Sequence, residues 1–219
     1  MVAVISADLI DSSSYPTEFL DLVIETMQKE FDLFAKYFSE EKSNFKIYRG
    51  DSVQGMLTNP ENALLFSLFL KTALNKLEYE KDSAIKADLR IAIGIGSIDL
   101  KRDEISESNG KAFQLSGRTL DEMKFTGRKL MLKTPNIDLN GEFYTSLALF
   151  DFIADRWSTA SAEVIYYLLQ DYKEKEIAKI LGISQSAVNQ RKKTAGWDPI
   201  SDLLTRFKEK ISETFKEQE

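Results

Sequence analysis

The 219-residue chain contains neither cysteine nor histidine. The absence of cysteine excludes disulfides, thiolate zinc sites and a cysteine nucleophile, and it fits a reducing compartment such as the cytoplasm. The absence of histidine removes the commonest general base, the serine–histidine catalytic arrangement and imidazole metal ligands. Any bound metal would therefore have oxygen ligands, which favours Mg²⁺, Mn²⁺ or Ca²⁺.

Long apolar runs are also missing from the sequence. No stretch reaches the ~18 apolar residues expected of a membrane-spanning helix. The start MVAVISAD has no basic residue and reaches an aspartate too early for a signal peptide. We therefore expect a cytoplasmic protein with no membrane partner.

Charge is distributed unevenly along the chain. Residues 1–154 carry 18 Lys and Arg against 24 Asp and Glu, which accounts for the whole net charge of −6. Residues 155–219 carry 11 of each sign and contain a basic cluster at 191–193. This contrast predicts two units with different partners.

The hydrophobic pattern predicts an α+β protein. Over residues 1–136 the order is β-α-β-β-α-β-α-β, and its first six elements have the order of a ferredoxin-like sheet domain. The polar, turn-rich segment 134–142 is the best candidate for a linker. Residues 143–219 follow a helical pattern only, which predicts an all-helical second domain.

Two glycines lie within the strand LRIAIGIG at 89–96. Glycine weakens a strand interior, so its presence marks a bulge or a place where another backbone approaches closely. We expect one or the other at Gly94 and Gly96.

The segment EKEIAKILGISQSAVNQRKKTAGW, residues 174–197, has the pattern of two helices joined by a tight turn at Gly182. It resembles the helix-turn-helix of sigma-factor region 4 and of two-component response regulators, in which the second helix enters the major groove. The resemblance implies transcription regulation through double-stranded DNA. The residues implied in DNA contact are Ser184, Gln185, Ser186, Asn189, Gln190, Arg191, Lys192 and Lys193.

The residue types on this second helix suit DNA. Glutamine and asparagine can pair with adenine in the major groove, and basic side chains can contact phosphates. The alternative interpretation is a helical hairpin that only packs or dimerises, with the basic residues as a solvated face.

Two carboxylates follow strands in the N-terminal unit. Asp8 ends the first apolar strand, and Asp51 lies in the turn of the predicted hairpin IYRGDSVQG. In a split βαββαβ sheet the first strand lies beside this hairpin, so both side chains should lie at the same end of the sheet. Adjacent carboxylates repel each other unless one is protonated or a cation lies between them. This predicts a divalent metal bound by Asp8 and Asp51. Each aspartate taken singly also fits a structural role, as a buried acceptor or a turn former.

Residues 1 to about 134 resemble a diverged class III nucleotidyl cyclase domain. The matching segments are ISADLID, RGDSVQG, LRIAIGIG and GKAFQLSGR. The resemblance implies two metal-binding aspartates, Asp8 and Asp51, a transition-state arginine, Arg118, and a homodimer with shared sites. Gln114 stands where the family has a ribose-orienting asparagine. Nucleotide contacts are implied for Asp11, Ser12, Ser13 and Gly50, with Asp11 as a departure that adds negative charge near the phosphates.

Both halves of the chain also resemble the SatD family of bacterial proteins, whose opening I-S-G-D-I-I-x-S pattern is matched by ISADLIDS. Three functions remain open at this point. The first is a DNA-binding regulator whose N-terminal domain dimerises or senses a nucleoside triphosphate or metal. The second is a metal-dependent nucleotidyl cyclase or related enzyme, and the third is a non-catalytic interaction protein.

Overall fold

The computed structural model of the protein describes residues 1–38, 45–48, 51–100, 105 and 108–215. These residues form a mixed α+β structure with one five-stranded sheet and eight α-helices. The strands are β1 (Val2–Leu9), β2 (Phe45–Tyr48), β3 (Ser52–Leu57), β4 (Leu89–Gly96) and β5 (Leu130–Lys133). The helices are α1 (Thr17–Phe38), α2 (Ala63–Asn75), α3 (Lys111–Thr126), α4 (Ile137–Ala154), α5 (Thr159–Leu168), α6 (Glu174–Leu181), α7 (Gln185–Thr194) and α8 (Trp197–Phe215).

The sheet has the strand order β2-β3-β1-β4-β5. The β2–β3, β3–β1 and β1–β4 pairs are antiparallel, whereas β4 and β5 are parallel. Strand β1 is therefore central, which explains its almost continuous run of buried residues. Asp8 at its end is opposite Ser52 on one neighbour and Arg90 on the other.

Helices cover both faces of the sheet. Alternate residues of β1, namely Ala3, Ile5 and Ala7, belong to one core with the apolar faces of α1 and α2. Val4 belongs to a second core on the opposite face, with Ala112 of α3. The Oγ atoms of Ser6 and Ser116 are 3.0 Å apart, so α3 also lies against β1.

Of the two expectations for Gly94, a bulge or a close backbone approach, the structure shows the close approach. A Cβ atom built on Gly94 would lie 2.4 Å from the carbonyl oxygen of Ala112 and 2.4 Å from the backbone nitrogen of Ser116. Only a residue without a side chain lets α3 lie this close to the centre of the sheet.

The expected linker at 134–142 is wrong, because α4 begins at Ile137. The polar residues there cap the helix: the Asn136 side chain accepts a hydrogen bond from the Leu139 backbone nitrogen at 2.9 Å. The Thr134 backbone nitrogen also donates to the Asn140 side chain at 2.7 Å. Helical residues thus follow β5 directly, and the division into domains 1–136 and 143–219 stays a prediction.

Helices α4 to α8 share the main hydrophobic core with α1 and α2. Phe69 of α2 stacks on Tyr166 of α5 with ring centroids 5.1 Å apart. Tyr166 also donates a hydrogen bond to the buried carboxylate of Glu30 on α1, at 2.9 Å. Helix α5 therefore packs the helical part of the chain against the layer above the sheet.

Candidate functional site

The carboxylate of Asp8 is paired with a cation of the same chain. Arg90 Nη1 lies 3.1 Å from Asp8 Oδ1 and 3.3 Å from Oδ2, and both side chains are largely buried. Burial raises the pKa of Asp8, and the Arg90 guanidinium opposes this rise only in part. Arg90 was not predicted, although a lone charged residue in the apolar strand LRIAIGIG indicates a partner on a neighbouring strand.

Asp51 lies at the same end of the sheet as Asp8. Its carbonyl oxygen accepts a hydrogen bond from the Leu9 backbone nitrogen at 2.8 Å, directly beyond Asp8. The Asp51 carboxylate accepts a hydrogen bond from the Ser52 hydroxyl at 3.3 Å, and its charge contributes to the raised pKa of Asp8. The predicted convergence of the two acids is thus present in the structure.

The donor set for a divalent ion is incomplete. In the part of the chain that the structure describes, no three acidic side chains come together as metal ligands. One of the two predicted ligands, Asp8, already has its charge balanced by Arg90. As the residues stand, a Mg²⁺ or Mn²⁺ ion at the acidic pair would have to displace Arg90 from Asp8.

The predicted nucleotide loop forms one turn of 3₁₀ helix, Ser12–Ser14. Asp11 precedes it in the left-handed backbone region, with φ of 54°, and its carbonyl oxygen accepts a hydrogen bond from the Ser14 hydroxyl at 2.7 Å. The Ser13 side chain is exposed and Ser12 is half-buried. Gly50, the fourth predicted contact, lies outside the described residues.

A cavity of about 370 Å³ opens beside this loop. Asp11, Ser14 and Tyr15 line one side of it, and Asp88 and Lys129 line another. Asp88 is the centre of a buried charge network that contains the ammonium groups of Lys71 and Lys129. Burial alone would raise the pKa of Asp88, but the two lysines outweigh it and hold this pKa at about 2.

The two residues matched to cyclase catalysis lie on α3. Gln114 and Arg118 are exposed and one helical turn apart. Within the described residues, neither side chain makes a hydrogen bond or an ion pair with Asp8 or Asp51. One copy of the chain therefore brings the two aspartates together but leaves Gln114 and Arg118 outside that group.

Helices α6 and α7 are joined by a tight turn, as predicted for residues 174–197. Gly182 ends α6 in the left-handed conformation, with φ of 65°. The Ser184 hydroxyl accepts a hydrogen bond from the Ala187 backbone nitrogen at 3.1 Å and so caps α7. Val188 is fully buried, and the Trp157 indole donates to the Ala195 carbonyl at 2.9 Å. These contacts fix which face of α7 points to solvent.

The face of α7 opposite Val188 is polar. Ser186, Gln190 and Lys193 are exposed on it, and Gln185 is exposed in the first turn, three residues before Val188. Asn189 and Lys192 are half-buried, and both contact Glu174 of α6: Asn189 Nδ2 at 3.3 Å and Lys192 Nζ at 3.4 Å. Arg191 is half-buried on another side of the helix.

The surroundings of this face are basic. Residues 173–193 contain six Lys or Arg and two Glu, a net charge of +4 in a chain whose net charge is −6. The segment around α6 and α7 is thus net positive within a chain that is net negative.

A family model matches residues 1–202 and spans both the sheet and the α6–α7 pair. The chain belongs to the SatD family. No curated protein matches this SatD-family chain. Among solved structures it is similar to the dimeric guanylyl cyclase domain of the RhoGC fusion protein from the aquatic fungus Blastocladiella emersonii, with 15% identity over 53% of this chain and 83% of that chain. The TM-score of 0.32 is too low to assign a fold or a function.

Two features of this SatD-family protein were missed by sequence reasoning. One is the cation at the acidic pair, Arg90. The other is the network of Lys71, Asp88 and Lys129. A single lysine, Lys71, inside the apolar helix segment LLFSLFLKTAL could have indicated it. Within the described residues, no helix is both long enough and apolar enough to cross a membrane.

Proposed function

We propose that this SatD-family protein is a regulator that binds double-stranded DNA through the exposed face of α7. The observation that carries the proposal is the polar face of Ser186, Gln190 and Lys193, which lies opposite buried Val188 in a segment of net charge +4, with Gln185 exposed beside it in the first turn. In this proposal α6 and α7 are a helix-turn-helix, and α7 is the helix that enters the major groove.

The contacts of Glu174 divide the predicted DNA residues into two groups. Gln185, Gln190 and Lys193 are directly available to a ligand. Lys192 and Asn189 share the carboxylate of Glu174 and would have to leave it to reach a phosphate or a base. We therefore expect Lys193 to contribute more to DNA affinity than Lys192.

The N-terminal sheet has the antiparallel order β2-β3-β1-β4 over its first four strands. We propose that this part is a ferredoxin-like, cyclase-related scaffold that supports the DNA-binding helices. Arg90 at Asp8 favours a structural role for the acidic pair over catalysis.

Lys193→Ala is expected to weaken DNA binding and to reduce the magnitude of the salt slope by about 0.9, because one phosphate contact is lost. The measurement is fluorescence anisotropy with mixed-sequence duplex DNA between ~50 and ~200 mM salt. Lys208→Ala is the matched control, since it removes the same charge from an exposed position on α8.

Glu174→Gln should act in the opposite direction. It removes one negative charge and weakens the hold on Lys192 and Asn189, although Lys192 keeps Asp198 at 3.6 Å, so binding should tighten and the salt slope should become steeper. Binding that does not respond to salt, or equal losses in Lys193→Ala and Lys208→Ala, would contradict the proposal and leave an interaction module as the function of the α6–α7 pair.

The convergence of Asp8 and Asp51 supports a second candidate, a metal-dependent nucleotide-processing enzyme. Arg90→Gln is expected to convert the acidic pair into a cation site, because two adjacent carboxylates without a counter-ion repel each other. In a thermal-shift titration with Mn²⁺, this variant should gain stability, up to about 2.7 kcal/mol at ~100 times the dissociation constant.

The control is Arg90→Gln combined with Asp8→Asn, which should not respond to Mn²⁺. Mn²⁺ should raise the melting temperature of the wild type less than that of Arg90→Gln, with or without nucleoside triphosphates. A wild-type shift that needs Mn²⁺, nucleotide and Asp8 together would instead favour the enzyme.

A further inference from the structure

Helix α4 is apolar on both sides. Its inner side is buried and consists of Leu139, Phe143, Leu147, Phe150 and Ala154. Its outer side also carries large apolar residues, which are exposed to these extents: Ile137 82%, Tyr144 58%, Leu149 61% and Phe152 59%. Exposed apolar patches of this kind mark interaction sites.

The outer residues form one stripe. Ile137, Gly141, Tyr144, Ala148 and Phe152 follow one another at spacings of four, three, four and four, which places them on one face of the helix. Gly141 costs helix stability relative to alanine. A Cβ atom there would meet no atom of the described chain within 4 Å, so contacts within the chain do not explain the glycine. Close approach of a second helix would explain it.

The charges at the two ends of α4 identify the partner. Asp138 lies in the first turn, and Arg156 lies just beyond the last turn, over the ring of Phe152. Neither has an ion-pair partner within the described residues. If a second copy of α4 packs in the antiparallel direction, each Asp138 approaches the Arg156 of the other copy. A parallel arrangement would place like charges together.

We propose that the outer face of α4 is the interface of a two-fold symmetric homodimer, in which two copies of the helix pack antiparallel. Such an interface is isologous: the same patch serves both subunits, and the central Tyr144 and Ala148 lie near the two-fold axis. This dimer does not use α3 and its Gln114 and Arg118, so it differs from the cyclase-type dimer implied by the sequence resemblance. It is independent of DNA binding by α7.

The test is the mass of the full-length protein by light scattering and sedimentation over a range of concentrations. The wild type should be a dimer. Phe152→Glu should raise the dimer dissociation constant at least about 30-fold, as expected when a charge replaces a large apolar contact of the interface. Its melting temperature at low concentration should equal that of the wild type, because the side chain is exposed in one copy.

Four further variants decide between this interface and others. Tyr37→Glu places the same charge on an exposed aromatic of α1 and should leave the dimer intact. Asp138→Arg and Arg156→Asp should each weaken the dimer, and the double variant should restore it, because the ion pairs form again with reversed signs. A monomeric wild type, a dimer that resists Phe152→Glu, or a double variant no better than the single ones would overturn the proposal.

Discussion

Gly94→Ala is expected to lower the free energy of unfolding by about 3 kcal/mol, the upper part of the usual cost of overpacking a protein interior. The added Cβ atom would lie 2.4 Å from two backbone atoms of α3, the Ala112 oxygen and the Ser116 nitrogen. A flexible side chain could turn away, but a helix backbone cannot. Helix α3 would have to move off β4, which would also lengthen the hydrogen bond between Ser6 and Ser116.

Gly117→Ala is the matched control for this prediction. It makes the same chemical change within α3, where a new Cβ atom would have no neighbour within 4 Å. Alanine is the better helix former, so this variant should be more stable than the wild type by about 0.5–1 kcal/mol. Urea unfolding followed by circular dichroism measures both changes. If both variants change stability in the same direction, α3 does not lie against β4 as described.

The strands and helices follow from local pattern, which explains why most were predictable. In α1, for example, Phe19, Val23, Met27, Phe31 and Phe34 recur at helical spacing, and all five are buried. Gly94 was expected to mark a bulge or a close backbone approach, because glycine weakens a strand interior, and the structure shows the close approach. The position of α3 on the opposite face from α1 and α2 could not be predicted, since element order does not specify the face.

The start of α4 shows where local pattern fails. Thr134, Asn136 and Asn140 are polar, and polar residues followed by Gly141 are typical of a linker. In the structure the Asn136 side chain accepts a hydrogen bond from the Leu139 backbone nitrogen and caps α4. The Asn140 side chain forms hydrogen bonds with both backbone groups of Thr134. The same residue types serve in turns and in caps because both expose backbone groups that need a partner.

Only part of the candidate site could be predicted, because the partners of its charged side chains depend on how the elements pack. The positions of Asp8 and Asp51 at strand ends predict that they meet. The identity of the cation that balances them depends on the register of β1 and β4, which places Arg90 opposite Asp8. On α7 the exposed face could be predicted, because the buried face is apolar. The contacts of Glu174 with Asn189 and Lys192 could not be predicted, because they depend on how α6 and α7 pack.

Asp88→Asn is expected to cost about 3–5 kcal/mol of stability, the usual cost of removing one partner of a buried ion pair. The side chain of Lys71 is only 1% exposed and contacts Asp88 directly. Asp88 also accepts hydrogen bonds from the Asn75 side chain at 3.1 Å and from the Leu89 backbone nitrogen at 2.9 Å. The variant keeps the shape of the side chain but removes the carboxylate that directly contacts the buried ammonium of Lys71.

Lys71→Met in the Asp88→Asn background should recover most of the loss, because it removes the charge that was left unpaired. Asp155→Ala is the surface control. Its carboxylate pairs with the same Lys129 but is 47% exposed, so the loss should stay below about 1 kcal/mol. If Asp155→Ala costs as much as Asp88→Asn, the burial of Lys71 is not the cause.

The pH dependence gives an independent test of the same pair. Folding lowers the pKa of Asp88 from 3.8 to about 2, so the folded state binds this proton less tightly than the unfolded state. The stabilisation, about 2 kcal/mol from this shift, is therefore complete above about pH 4 and is lost as pH falls towards 2. Asp88→Asn has no such proton to bind. The stability difference between the wild type and Asp88→Asn should narrow over this window, whereas a constant difference would mean that the charge of Asp88 does not stabilise the fold.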